Sequence, residues 1–163
     1  MKRNLIYSVP GLFLIGAFAS CTKPEVKTNT PSTTKPKSFW RLGNKEYTAV
    51  KATKISDPFG INFLKGIDSI TNNPENTCTF SFSTYPTQNG VYKIVGNTNP
   101  DINEVYYAVQ KGSEWYYSKD EDTSKAYVSV DSQKISIRVP FTYVYTSGKY
   151  KLAEFTCNII QTF

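Results

Sequence analysis

The sequence predicts an antiparallel all-β domain, and three observations carry that prediction. Residues 38–163 hold 21 aromatic side chains, two Trp, eleven Tyr and eight Phe, residue types that suit a half-buried pleated surface. The same 126 residues break into short runs of alternating apolar and polar residues between Gly, Asn, Asp and Ser turn signals, the pattern of strands with one face in a core. Helical periodicity is hard to find anywhere in them. About nine strands in a segment long enough for one core imply a β-sandwich, with a closed or partly closed β-barrel as the alternative.

In chain order, Phe39 to Leu42 opens the domain and Gly43-Asn44 turns it into a strand over 47–55. Further strands are expected at 61–70, at 78–83, and at 91–95 after Asn89-Gly90. In 104–118 (EVYYAVQKGSEWYYS), Val105, Tyr107, Val109, Trp115 and Tyr117 share the apolar side and Lys111-Gly112-Ser113 forms the turn. Ala108 then faces Tyr116 on the outer side, with Tyr106 diagonal to it and within reach of its ring. Residues 126–130 point Ala126, Val128 and Val130 inward and Tyr127 outward. In 135–145 (ISIRVPFTYVY), Ile135, Ile137, Val139, Phe141, Tyr143 and Tyr145 fall on one face, and Pro140, lacking an N–H, requires a sheet edge or a bulge. A three-residue loop at Ser147-Gly148-Lys149 would pair Thr146 with Tyr150, Val139 with Cys157 and Phe141 with Phe155. A two-residue turn there would pair inward with outward residues.

The first 37 residues have a different character. Lys2 and Arg3 precede the apolar run LFLIGAFA, the layout of a secretory signal over 1–20 and too short to span a bilayer, which needs about 20 apolar residues. Phe18, Ala19, Ser20 and Cys21 resemble a bacterial lipobox, whose cysteine is acylated and becomes the new N-terminus; acyl chains anchor because each buried methylene contributes about 0.8 kcal/mol. Residues 22–37 (TKPEVKTNTPSTTKPK) carry no aromatic residue and one aliphatic, Val26, so they read with Cys21 as a disordered tether, which would reach about 50 Å as polyproline II. The expected division is therefore signal (1–20), lipidated cysteine and tether (21–37), and all-β domain (38–163).

The formal charge of +6 gives no support to nucleic-acid binding once it is located. Six Lys or Arg against Glu25 leave residues 1–37 at +5, whereas 13 basic and 12 acidic groups leave residues 38–163 at +1. The leading segment's lysines suit anionic lipid headgroups instead.

With the lipobox, the tether and the run of strands in place, the chain resembles the small lipoprotein family common in Bacteroidota-type bacteria. FWRLGNKEY near the domain start, NGVYKIVG in the middle and the closing TCNIIQTF carry the resemblance. It implies an all-β fold, an outer-membrane lipid anchor and no established activity. Surface display in that group goes with an acidic cluster after the lipidated cysteine; Thr22-Lys23-Pro24-Glu25 lacks one, which implies the periplasmic face. Asp68-Ser69-Ile70 is similar to the O-glycosylation sequon of such organisms, with Ser69 as acceptor.

Chemistry is sparse. With no histidine in the chain, the usual general base, Ser-His and Cys-His pairs and most transition-metal sites are absent. No phosphate-cradling glycine loop or other cofactor motif is present. Asp120-Glu121-Asp122 suggests calcium, but Lys125 stands where an EF-hand loop needs glycine, so no metal site is expected. Cys78 and Cys157 lie on apolar faces and are either buried thiols or a disulfide, the latter requiring Cys78 on the other strand neighbouring Cys157, away from Val139, or in a facing sheet.

Two readings of function remain. One is a non-catalytic envelope lipoprotein whose domain acts as an interaction or accessory module with a protein partner. The other is a carbohydrate-binding module using an outward row of Tyr106, Tyr116 and Tyr127, with Trp115 contributing, because tyrosine offers a flat apolar ring and a hydroxyl.

Overall fold

Residues 37–56, 62–69, 75–120, 123–146 and 149–163 are described by the structure, a computed structural model. The expected signal, Cys21 and nearly all of the tether lie outside the described residues, as do Glu121, Asp122 and the Ser147-Gly148 turn. Eleven strands form among the described residues: β1 (Phe39–Leu42), β2 (Lys45–Thr48), β3 (Lys51–Ser56), β4 (Asn62–Ile67), β5 (Asn76–Phe82), β6 (Gly90–Ile94), β7 (Glu104–Lys111), β8 (Glu114–Tyr117), β9 (Lys125–Val130), β10 (Lys134–Thr146) and β11 (Lys149–Thr162). The expected strand over 47–55 is two strands, broken at Ala49-Val50.

The domain is all-β, and its centre takes the closed-barrel architecture rather than two separate sheets. Strands β10, β9, β6, β7 and β8 follow one another around a ring, which closes because β8 bonds to β7 on one side and β10 on the other. Closure gives both edges of short β8 a partner, removing unpaired backbone groups from the ring. Most pairs are antiparallel, with β6 and β7 the parallel exception. Outside the ring, β11, β1 and β2 extend from β10, while β5, β4 and β3 extend from β7.

These two extensions pack against one another. A Cβ placed on Gly66 of β4 would lie 3.1 Å from Ile159 Cδ1 of β11, so glycine permits the close approach. One continuous core results, built around the fully buried Trp40, Phe80, Tyr107, Phe155, Ile135, Ile137 and Ile159. Trp40 stacks on its cross-strand partner Tyr47, with centroids 5.3 Å apart and planes within 10°.

Two registers differ from the expected ones, and each turns side chains over. Lys111 pairs with Glu114, so Gly112-Ser113 makes a two-residue turn with Gly112 at φ 58°. Glycine at the first central position suits a tight hairpin turn whose twist matches its strands. Val109 consequently faces Tyr116, and Ala108 faces Tyr117. Tyr116 enters the core and Trp115 and Tyr117 turn outward, the reverse of the three-residue-loop expectation.

In the β10/β11 hairpin, Val139 does face Cys157, but the next pair is Thr142 with Phe155. Pro140 and Phe141 together oppose Thr156, making the bulge that a proline inside a strand requires. Beyond it Thr146 pairs with Lys149 rather than Tyr150.

Candidate functional site

The bulge creates the surface. Before it, Ile135, Ile137 and Val139 point into the core; after it, Thr142 and Val144 do. One extra residue reverses the alternation. Phe141 and Tyr143, expected inside, therefore stand outward with 47% of each exposed, edge to face at 5.1 Å.

Tyr145 continues this row and meets Tyr117 across the pair that closes the ring, with ring centroids 6.1 Å apart. Tyr117 lies near-parallel to Tyr106 of β7, 6.4 Å away and tilted by 22°. Val95 and Ala108 pack beneath them as a small apolar cluster separate from the main core. Burial, with Tyr117 and Tyr145 nearby, pushes the Tyr106 phenol far above its ordinary range. Five aromatic rings thus run along β10 for about 13 Å and then cross β8 and β7 for about another 10 Å. Trp115, on the same side of β8 as Tyr117, is 40% exposed at the margin.

Beside the bulge lies a cleft of about 220 Å³ lined by Arg41, Gly43, Pro140, Phe141, Glu154 and Thr156. Its charges balance. Arg41 and Lys37 both donate to Glu46, at 2.9 and 2.6 Å, and their hydrogen bonds hold the Glu46 carboxyl below its usual range. Glu154 supplies a second carboxylate on the rim, and Thr156 Oγ1 is committed to Val139 O at 2.9 Å. The arrangement offers flat apolar rings flanked by hydrogen-bonding groups without a dominant charge.

The residues expected to form a tyrosine row are not brought together. Tyr106 belongs to the observed row but is only 8% exposed, at its inner end. Tyr116 is buried, its hydroxyl donating to Glu114 at 2.8 Å. Tyr127 is exposed on β9, where it faces Val91 and carries the Arg138 guanidinium 5.3 Å from its ring centroid. Because β9 pairs with β6 and β10 rather than β8, this patch is separate. Phe141, Tyr143, Tyr145 and Tyr117 were missed; the signal for the first three was Pro140, whose bulge reverses the alternation after it.

Other candidates fall as follows. Ser69 is half-buried in the bend after β4, beside Asp68, which accepts from Asn76 at 2.6 Å; Ile70 lies outside the described residues. Asp120 accepts the Gly96 amide at 2.7 Å, and among the described residues no group of three metal-ligating side chains gathers. Cys78 and Cys157 are buried thiols.

Burial raises the Tyr85 phenol from an ordinary 10 to about 12, and burial together with its bond to Glu114 raises the Tyr116 phenol to about 12. In the unfolded chain these groups lose their protons first, so their stabilising effect is intact below about pH 10 and lost as pH rises through about 12. Urea midpoints measured across that window should fall steeply, and less so in Tyr116→Phe. A flat profile would contradict the buried placement.

An all-β barrel with exposed aromatic clusters beside a charge-balanced cleft defines a domain that presents an interaction surface. No protein-family model matches the chain, and no curated protein or solved structure matches it either.

Proposed function

We propose that the domain is a non-catalytic carbohydrate-binding module that receives a neutral glycan chain along the Phe141–Tyr143–Tyr145–Tyr117 row. The observation that carries this reading is the bulge at Pro140, which takes large rings out of the core and sets them beside the cleft. Exposing such rings forgoes burial worth about 1.5–3 kcal/mol per large apolar side chain, a sacrifice that favours a binding role. Flat rings stack on the apolar faces of pyranoses while Arg41 and Glu154 can meet hydroxyl groups. The balanced charge suits an uncharged ligand, and the lack of histidine in the chain fits binding without catalysis.

Thermal melts with a panel of neutral oligosaccharides and cell-wall fragments test the proposal. A ligand at about a hundredfold excess over its Kd stabilises by about 2.7 kcal/mol, enough to move Tm by several degrees, about 2–8 °C per kcal/mol for domains near this size. No shift with any glycan, together with capture of an envelope protein that Phe141→Ala abolishes, would replace the glycan by a protein partner.

We further propose that the domain is carried on an outer-membrane lipoprotein, anchored through acylated Cys21 and standing off the periplasmic face on residues 22–37. Support comes from the charged, apolar and lipobox-like segments in that order. Cys21→Ala is expected to move the protein from the membrane to the soluble fraction or leave an unprocessed precursor. A mature-size product retained in membranes would refute the anchor.

A further inference from the structure

Cys78 and Cys157 sit on strands that are not hydrogen-bonded partners. Cys78 of β5 lies between Gly66 of β4 and Val109 of β7. Cys157 of β11 lies between Trp40 of β1 and Val139 of β10. They meet because the two extensions pack face to face at Gly66 and Ile159, the in-register partner of Cys78 and the next inward residue after Cys157. The two thiols are close enough for Cys157 to act on the Cys78 thiol, and the residues are 0% and 1% exposed.

We propose that Cys78 and Cys157 are the site of an intramolecular disulfide that forms while the chain folds and that the finished fold shields from further exchange. The oxidant is a disulfide, either a dithiol oxidase in its oxidised form or oxidised glutathione. The Cys78 thiolate attacks the oxidant's S–S bond, giving a mixed disulfide and expelling one oxidant thiolate. The Cys157 thiolate then attacks Cys78 Sγ and expels the second. Two cysteine thiols lose two electrons, and their two protons end on the two thiols of the reduced oxidant.

Timing follows from burial. Exchange requires a thiolate and access; in the folded domain access is closed at both residues, and the thiolate is disfavoured at Cys78. Desolvation first, and the neighbouring thiol second, raise the Cys78 thiol well above its ordinary range. No oxidant reaches side chains that are 0% and 1% exposed within the main core cluster. The redox state is therefore set before the extensions close over the pair, and it records the compartment in which folding took place. The bridge would tie two distant parts of the chain and so restrict the unfolded state.

The test uses the Cys21→Ala chain, which leaves these two cysteines alone. Refolding from urea in a glutathione redox buffer should give protein whose thiols resist iodoacetamide after unfolding without reductant. Folded, reduced protein in the same buffer should keep both thiols, oxidising at least about a hundredfold more slowly, in line with the dependence of exchange on thiolate fraction and access. The bridged form should melt about 10 °C higher. Labelling of both cysteines after oxidative refolding would overturn the bridge, and equal oxidation rates for folded and unfolded chains would overturn the shielding. If the chain does not refold, the same labelling is applied after export to a bacterial periplasm with and without its dithiol oxidase. A bridge only where the oxidase is present supports the proposal, and free thiols in both cases refute it.

Discussion

Phe155→Ala is expected to lower the unfolding free energy by about 3–5 kcal/mol, the range for deleting a buried aromatic ring. Phe155 lies on β11, 1% exposed, facing Leu42 of β1 and Thr142 of β10. Its ring stacks on Tyr107 of β7, with centroids 4.8 Å apart and planes within 19°. It therefore joins the barrel wall to the extension beyond β10. Small domains hold only about 5–15 kcal/mol in total, so the loss would be a large share of stability. Urea unfolding should show a lower midpoint at unchanged slope. A loss below about 1 kcal/mol, the range of many surface changes, would contradict the interior placement.

Phe141→Ala with Tyr143→Ala is expected to weaken glycan binding at least about tenfold, the equivalent of 1.4 kcal/mol, with little loss of stability. Both rings are half exposed and on the outer face of β10, so truncation leaves no core cavity. What it removes in the free protein is chiefly their edge-to-face contact, about 0.5–1.5 kcal/mol. Titration followed by tryptophan emission measures the binding loss, since Trp115 borders the row. Tyr127→Ala, on the separate β9 patch, is the control and should bind as the wild type does. Tyr116→Ala should instead lower stability, because that ring lies in the core. Unchanged binding by the double variant with loss in Tyr127→Ala would move the site to the Val91–Tyr127–Arg138 patch.

The difference between expected and observed surfaces rests on two local events. At Gly112, a three-residue loop would keep Trp115 and Tyr117 inward, whereas the tight turn buries Tyr116. Both choices satisfy alternation, because the string EWYY offers an aromatic ring to either face. At Pro140 the sequence offers a sheet edge or a bulge, and simple alternation, which ignores the extra residue of a bulge, sets Phe141, Tyr143 and Tyr145 inward. In contrast, Ala126 and Val128 point inward and Tyr127 outward as their pattern implies, because β9 carries no bulge and no competing aromatic.

By itself the sequence determined the class of the domain and most of its strands, since alternation, turn residues and β-prone side chains act over a few neighbours. It also marked Pro140 as needing a sheet edge or a bulge, and the expected pairing of Val139 with Cys157 holds although the expected pairing of Thr146 with Tyr150 does not. Only the tertiary structure decided the closed ring, the meeting of the two cysteines and the aromatic row. Each depends on contacts between segments far apart in the chain, such as Tyr117 with Tyr145 or Gly66 with Ile159. A one-residue change of register alters no residue and no composition, yet it exchanges the buried and exposed faces of a strand.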